Sequence, residues 1–427
     1  MLENKKAAGK QLAETLLWLA LGIFFILFLR WYGFPLGTKK LAALSVVILA
    51  AVLIHRSRSR KTPQYMRKVL GIQAGKTRVN QYDWLRILAV SMVILTHAVQ
   101  MDLITEGLIE DEAAIYILMV FYVFCLACNL IYVMLSGSLL LPYREEKLSD
   151  FYLHRVSRVV LPMFVYYIFY LWINKGLEHI TLQTIGKMFG NFFQGKTPEC
   201  PHYWLLYEIL AIYIAVPFLR YMLRDMPYKI LTAMTAVAWG FMFFATYSPI
   251  PCGVHPMMAS WAGIAIFGYW MTREETRKYD KFIVLSGVAG LGVTMYYIKA
   301  GENFLEVCCN CSPTMMMISG GLFSLVFMFP GIFSRGNVIL SVLGKYSYSL
   351  ILVHWTVLAL LTKGRFHIYT KSYYYAGGIF LSWIVTLAVS LGMAFLIDNF
   401  VLVVAEEAYA FIVKSCRMPL QKRKHLP

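Results

Sequence analysis

Asp83, Arg86 and His97 are the residues whose types and spacing could carry chemistry, because they interrupt an apolar stretch, residues 81–101, that is otherwise typical of a membrane span. Arg86 and His97 are eleven residues apart, so at about 100° per residue they share one helix face to within about 20°. Their axial separation is about 16 Å, roughly half of a hydrocarbon core. Asp83 lies one turn from Arg86 and can pair with it. Because charged and imidazole side chains are costly in lipid, this face is predicted to line a protein cavity.

A second polar cluster contains two arginines three residues apart, Arg155 and Arg158, which a helix places on one face. Two guanidinium groups offer forked donors that suit phosphates and carboxylates. The same pair is also typical of positively charged anchors that extend their heads to the membrane surface. Spacing alone favours the anchor slightly. Pro162, four residues later, is tolerated in a membrane helix and can bend it.

Three further residues have polar side chains where an apolar span is predicted. Trp204 fits an aromatic belt at the membrane surface. Glu208 lies one turn deeper, where an acidic side chain should face a cavity or a cation. Two roles are equally compatible with this position: binding or acid–base chemistry at an acceptor hydroxyl, and a structural ion pair. His354 is either a packing residue or part of a site.

Two further features have structural interpretations. The segment 136–138 (Ser-Gly-Ser) indicates close helix packing, and Asp398 is expected to pair with a neighbouring cation.

The composition places these residues in a membrane protein. Hydrophobic residues make up 59% of the chain and charged residues 15%, with mean hydropathy +0.60, which excludes an ordinary soluble domain. The fold class predicted is an all-α polytopic membrane protein, with a ten-helix body preceded by about two extra N-terminal transmembrane helices. Twelve apolar runs support this count: 13–30, 41–54, 83–101, 113–140, 157–173, 203–222, 229–247, 257–271, 282–298, 314–333, 347–362 and 377–402.

The net charge of +17 is better explained by membrane orientation than by nucleic-acid binding. Residues 55–80 hold eight lysines and arginines and no acid, which predicts a cytoplasmic linker. The acidic segment 102–112 then falls outside, and both termini are predicted to be cytoplasmic. Segment 363–371 departs from the rule, since it is basic yet predicted to lie outside.

Four segments follow from this topology: a two-span extension over 1–54, the basic linker over 55–80, a ten-span body over 81–402, and a basic cytoplasmic tail over 403–427. The first apolar run is predicted to be a retained anchor rather than a cleaved signal. The disulfide state of the cysteines predicted to lie outside is undetermined by sequence. They are Cys200, Cys252, Cys308, Cys309 and Cys311. No metal site is expected.

Several motifs occur in an order that resembles the bacterial acyltransferase-3 family of membrane O-acyltransferases. Arg86 and His97 resemble the Arg-x10-His pair of that family's first helix, and Arg155 and Arg158 its Arg-x-x-Arg motif. The Leu135-Ser-Gly-Ser-Leu-Leu stretch is similar to its second-helix signature, although Ser138 stands where a bulky apolar residue is common. The segments from Tyr203 to Pro217 and from Ser347 to His354 match later motifs. Each motif is weak, but their order over residues 82–362 makes the set specific.

The resemblance implies transfer of an acyl group, usually acetyl from acetyl-CoA, to a hydroxyl of a cell-envelope or exported polysaccharide. It implies a multi-pass protein of the bacterial plasma membrane. The expected partners are acyl-CoA as donor substrate, a carbohydrate acceptor and the lipid bilayer, with no permanently bound cofactor, no nucleic acid and an undetermined oligomeric state. Acetyl, succinyl and longer acyl groups remain open. It leaves the function of residues 1–80 unexplained.

With that resemblance, His97 is expected to act as general base, since a neutral imidazole with a pKa near 6.5 can accept the hydroxyl proton. Arg86, with its rotamer fixed by Asp83, is expected to bind the donor, and Arg155 and Arg158 to hold its phosphates. Trp204, Glu208 and His354 are expected on the acceptor side or in a secondary role, including an acyl relay through His354. A transporter or flippase of polysaccharide or lipid-linked sugar, and a membrane sensor without turnover, are the alternative classes.

Overall fold

A computed structural model describes residues 2–31, 36–62, 64–72, 79–100, 111–175, 182–247, 260–301, 308, 312–362 and 375–423. All of the regular elements in these ranges are helices, which confirms the all-α class. The α-helices are α1 (Leu2–Trp31), α2 (Thr38–Lys61), α3 (Tyr65–Val69), α4 (Asn80–Gln100), α5 (Glu112–Leu126), α6 (Cys128–Leu140), α7 (Leu148–Arg155), α8 (Leu161–Lys175), α9 (Leu182–Phe193), α10 (Trp204–Leu223), α11 (Tyr228–Tyr247), α12 (Trp261–Trp270), α13 (Asp280–Lys299), α14 (Pro313–Met328), α15 (Pro330–Phe333), α16 (Val338–Thr362), α17 (Ala376–Ile397) and α18 (Val403–Arg423).

Each of the twelve predicted spans coincides with a helix. Within the described residues, eight helical segments are long and apolar enough to cross a membrane, so the chain is a polytopic membrane protein. The other four predicted spans correspond to α8, α11, α12 and α14. Shorter apolar helical stretches are found in α11 and α14, while α8 and α12 are helices of 15 and 10 residues. Helix α2 continues to Lys61, beyond the predicted end of its span at residue 54. Cys252, Cys309, Cys311 and segment 363–371 lie outside the described residues.

The described chain divides into two compact units. The first unit comprises residues 1–73, 149–201 and 390–427. It combines the predicted extension and most of the linker with α18 and with the arginine-pair helix, which is the helix from α7 to α8 that carries Arg155 and Arg158. In its core the indole of Trp18 stacks on the imidazole of His55, with ring centroids 3.7 Å apart. Phe400 lies against both Trp18 and Phe25. The extension therefore packs into a unit with segments from the end of the chain.

A π-helical turn, Val156–Val160, joins α7 to α8 in the first unit. Its cause is Pro162, which has no N–H to donate and whose ring opposes the carbonyl four residues earlier, that of Arg158. The helix widens there, and the Leu161 N–H bonds to the Val156 carbonyl, five residues back. Arg158 consequently lies inside a π turn, a local geometry that is common at functional sites.

The second unit comprises residues 74–148 and 202–389, and α6 and α12 meet in it at very short range. A methyl group added at Gly137 would lie 1.8 Å from the Ala265 carbonyl oxygen, and one added at Gly268 would lie 2.2 Å from that of Met134. Ser138 Oγ donates a hydrogen bond to the Gly268 carbonyl oxygen at 2.8 Å. The Ser-Gly-Ser segment therefore serves close helix packing, as its small residues predicted.

Candidate functional site

Three imidazole rings from distant parts of the sequence meet in the second unit. His97 and His354 stack with ring centroids 5.3 Å apart, and His202 approaches His354 edge-on at 5.1 Å. The indole of Trp355 closes the cluster at 5.0 Å from His97. His202 and His354 are buried, with 6% and 0% of their surfaces exposed, whereas His97 is half-buried.

The cluster joins segments of three helices. His97 lies three residues before the end of α4, and His202 lies just before the start of α10. His354 is in the second half of α16. At the other end of α4, Asn80 Nδ2 donates to the Ser334 carbonyl oxygen, shortly before α16, at 2.6 Å. These two contacts show that α4 and α16 run in the same direction.

The sequence predicts His97 near the middle of its span, but the residue lies three residues from the end of its helix. Helix α4 begins at Asn80 and ends at Gln100. Ala98 and Leu358, both buried, pack beside it and join α4 to α16. The imidazole therefore lies at the end of α4 opposite to Asp83 and Arg86. About 16 Å of helix separates the basic end from the imidazole end.

The hydrogen bond to Gln100 selects the tautomer of His97. His97 Nδ1 lies 3.1 Å from Gln100 Oε1, and an amide oxygen only accepts, so Nδ1 carries the proton. The lone pair of Nε2 is then available to accept a proton. This is the arrangement in which an oriented histidine acts as a general base.

His354 has the same tautomer for a different reason. Its Nδ1 donates to the Ile351 carbonyl oxygen at 2.7 Å, and a carbonyl oxygen cannot donate in return. Its Nε2 is buried and has no hydrogen-bond partner among the described residues. The cluster thus holds a buried acceptor suited to a hydroxyl or water donor.

Asp83 and Arg86 form the predicted pair at the first turns of α4. The Arg86 guanidinium donates to Asp83 Oδ1 at 2.6 Å, with the carboxylate buried and the guanidinium side chain 30% exposed. Tyr132 Oη lies 3.5 Å from the Arg86 carbonyl oxygen. The carboxylate thereby fixes the rotamer of an arginine that still has exposed surface for a ligand.

Arg155 and Arg158 belong to the first unit, on the helix formed by α7, the π turn and α8. The Arg155 guanidinium lies over the Phe151 ring at 5.1 Å, a contact that combines stacking with cation–π attraction. The side chain of Arg158 is exposed. Asp398, which we expected to pair with a cation, accepts a hydrogen bond from Tyr166 Oη at 2.9 Å.

Trp204 and Glu208 lie on α10, beyond the imidazole cluster. Trp204 is 44% exposed and its ring lies 5.9 Å from that of Trp261, and its place in an aromatic belt stays a prediction. Glu208 is half-buried. Within the described ranges, no three His, Cys, Asp or Glu side chains are arranged to hold a metal ion.

Sequence reasoning missed three members of the site: Gln100, His202 and Trp355. Gln100 could have been found, since it lies three residues after His97 on the same helix face. Trp355 adjoins His354 in the chain, but its direction depends on tertiary packing. His202 had no local signal, because only the pairing of distant helices brings it to His354.

Comparison with known proteins identifies the family to which the chain belongs. A family model of the acyltransferase-3 group, described as an acyltransferase domain, matches residues 79–398. No curated protein and no solved structure matches the chain. The matched range contains the imidazole cluster, the Asp83–Arg86 pair and both residues of the arginine pair. The chain belongs to the acyltransferase-3 family of membrane acyltransferases.

Proposed function

We propose that this protein transfers an acyl group, acetyl in the first instance, from acyl-CoA to a hydroxyl of a cell-envelope or exported carbohydrate. The observation that carries the proposal is the imidazole of His97, whose Nδ1 is paired with Gln100 so that Nε2 is free to accept a proton. Membership in an acyltransferase family favours this chemistry over transport or sensing. A transporter would not consume the donor.

The proposed reaction is a single transfer at His97. The acceptor hydroxyl gives its proton to His97 Nε2 while its oxygen attacks the thioester carbonyl. As the tetrahedral intermediate collapses, the carbon–sulfur bond breaks and the coenzyme A sulfur takes the proton from the imidazolium. The products are an ester and the free thiol of coenzyme A. The enzyme returns to its starting protonation state.

Two sets of arginines are proposed to hold the donor. Arg155 and Arg158 bind its phosphates, since guanidinium groups form strong charge-assisted bonds with phosphate oxygens. Arg86 supplies a further contact from the basic end of α4. Asp83 holds its side chain in place at 2.6 Å.

The acceptor is proposed to approach from the side on which α10 begins. His202 lies just before α10, and Trp204 and Glu208 lie in its first turns. Aromatic rings and a carboxylate are suitable partners for a sugar, because rings cover its apolar faces and carboxylates accept hydrogen bonds from hydroxyls.

We propose that the membrane is a bacterial plasma membrane and that both termini are cytoplasmic.

His354 is proposed to be a wall of the site rather than an acyl carrier. Its ring stacks on His97, and its Nδ1 bonds to the backbone of its own helix. A relay would require its Nε2 to attack the thioester and later release the acyl group to the acceptor. Direct transfer needs only the hydroxyl and the donor to meet at His97.

The test of this function is transfer of label in membranes that contain the full chain. Acetyl-CoA labelled in the acetyl group is incubated with membranes and an envelope-carbohydrate fraction, beside succinyl-CoA and a longer acyl-CoA. We expect base-labile label in the carbohydrate together with release of coenzyme A. Export of carbohydrate without consumption of any acyl-CoA would favour a transporter and overturn the proposal.

A further inference from the structure

Residues 1–73, which are the predicted two-span extension with most of the predicted linker (hereafter the extension), contain a buried histidine, His55, in a second cluster far in sequence from the proposed chemistry. His55, in the last two turns of α2, is 1% exposed and stacks face to face on Trp18 at 3.7 Å with an interplanar angle of 4°. His55 Nε2 lies 2.8 Å from the Asn399 carbonyl oxygen, and Nδ1 lies 2.7 Å from Tyr65 Oη. Because a carbonyl accepts only, Nε2 carries the proton and Nδ1 accepts from the tyrosine.

The carbonyl that His55 satisfies belongs to an irregular segment. Residues Asp398–Leu402 form a π-helical turn between α17 and α18, in which the Val403 N–H bonds to the Asp398 carbonyl. Buried carbonyls require a donor, and the imidazole of the extension donates to the one at Asn399.

The segment from Asp398 to Tyr409, which is the π turn and the first part of α18, contacts the arginine-pair helix on both sides of the pair. Tyr166 Oη, on α8, donates to Asp398 Oδ1 at 2.9 Å. Tyr409 Oη, on α18, donates to the Leu153 carbonyl oxygen at 3.0 Å. Leu153 precedes Arg155 by two residues, and Tyr166 lies about 12 Å along the helix from Arg158. The arginine pair is therefore held between two hydrogen bonds from one partner segment.

Further contacts join the extension to the same C-terminal helix. Arg58 forms an ion pair with Glu407 at 2.7 Å, and the Phe400 ring lies 5.9 Å from the Trp18 ring. A methyl group added at Gly22 would lie 3.3 Å from that ring. The extension thus contacts the turn at Asp398–Leu402 through a hydrogen bond and apolar packing. It contacts α18 through charge.

We infer that the extension braces the donor site: His55 is a positioning residue that, through the π turn at Asp398–Leu402 and through α18, sets the position of Arg155 and Arg158. This rests on the proposed function, in which those arginines bind the donor. It gives residues 1–73 a role in donor affinity that the family motifs do not include. The extension acts without touching the substrate.

The experiment compares full-length variants in membranes by coenzyme A binding and by separate KM values for donor and acceptor. His55→Phe keeps an aromatic ring on Trp18 and removes both hydrogen bonds, so we expect the Kd for coenzyme A and the donor KM to rise roughly three- to tenfold. The acceptor KM and kcat should remain near their original values. His55→Gln, whose amide can still donate to the Asn399 carbonyl, should recover most of the affinity.

Two further variants make the result specific. Tyr409→Phe removes the bond to Leu153 and should weaken coenzyme A binding in the same direction; it also serves as the test if His55→Phe is not recovered from membranes. Combined with His55→Phe, its effect should be less than the product of the two. Leu53→Ala, on the exposed side of the same helix as His55, is the matched control and should leave donor affinity unchanged.

The outcomes separate this inference from the proposed function. If the double variant Arg155→Ala, Arg158→Ala leaves coenzyme A binding unchanged, the donor site itself is misassigned and the brace fails with it. If that double variant weakens binding but His55→Phe and Tyr409→Phe do not, the brace alone is overturned. A fall in apparent kcat with both KM values unchanged would also overturn it, since that result indicates loss of folded protein, and so would an equal rise in donor KM and acceptor KM, since that indicates a distortion that is not confined to the donor site.

Discussion

The imidazoles of His97 and His354 stack at 5.3 Å between ring centroids, each with its Nδ1 bonded to an oxygen and its Nε2 left as an acceptor. Two neutral imidazoles with this protonation cannot hydrogen-bond to each other through their Nε2 atoms, because neither offers a proton there. A molecule with a hydroxyl group supplies the missing donor. The pair is therefore chemically complementary to an alcohol, which is the class of acceptor that O-acyl transfer requires.

Gln100 should control the rate through the tautomer of His97. Gln100→Leu removes the acceptor of the Nδ1 proton, so we expect kcat to fall about five- to tenfold, the equivalent of one neutral hydrogen bond. Gln100→Glu keeps an oxygen at the same position and should retain most of the rate. Kinetics at saturating donor and acceptor measure this. A rate for Gln100→Leu equal to that of the unchanged protein would contradict the role of the amide.

His354 should line the site without carrying the acyl group. His354→Phe keeps a ring against His97 and removes both nitrogens, so we expect transfer to continue with a loss of about tenfold or less. Denaturing the unchanged protein after a short incubation with labelled acetyl-CoA and no acceptor should give no label on the chain. Label that appears on the unchanged protein and disappears in His354→Phe would establish the relay instead.

Loss of the arginine pair should weaken binding of the donor more than binding of the acceptor. Arg155→Ala combined with Arg158→Ala removes charged donors to phosphate, and we expect the donor KM to rise at least about tenfold with little change in acceptor KM. Lys229→Ala is a suitable control, since it removes an exposed positive charge at the start of α11. If the two changes alter the donor KM equally, the effect is general electrostatics and not a binding site.

The contact between α6 and α12 should not tolerate an added methyl group. In Gly137→Ala or Gly268→Ala the new carbon would lie at 1.8 or 2.2 Å from a carbonyl oxygen, so the helices must separate, at a cost of about 2 kcal/mol or more. Gly240→Ala, with nothing within 4 Å of the new carbon, should be neutral or slightly stabilising. Thermal unfolding in detergent measures the difference. Equal Tm values for all three variants would contradict the packing described.

Local patterns on single helices were predictable from the sequence. The Asp83–Arg86 pair and the shared face of Arg86 and His97 depend only on helix periodicity. The close packing at residues 136–138 followed from small side chains in an apolar segment. The helical class and the multi-pass organisation followed from composition, because repeated apolar runs near the length of a bilayer are typical of membrane-spanning helices.

Relationships between helices could not be predicted in this way. The contact of His202 with His354 depends on which helices pack together and in which direction, and no periodicity encodes that. The π turn beside Arg158 has a local cause in Pro162, but the second one, at Asp398, has no comparable signal. Tyr166 donates a hydrogen bond to Asp398, a contact that tertiary packing creates and sequence spacing does not encode, while the pairing of Asp398 with a cation stays a prediction.

The most direct test of the account is label transfer from acetyl-CoA to carbohydrate by His97→Ala and His97→Gln. Both variants lack a proton acceptor equivalent to Nε2, so we predict that transfer falls by at least about 100-fold, as for loss of a general base. The amount of protein in the membrane and its binding of coenzyme A should stay the same. Full transfer by either variant, inserted at normal levels, would contradict the assignment of His97 as the base.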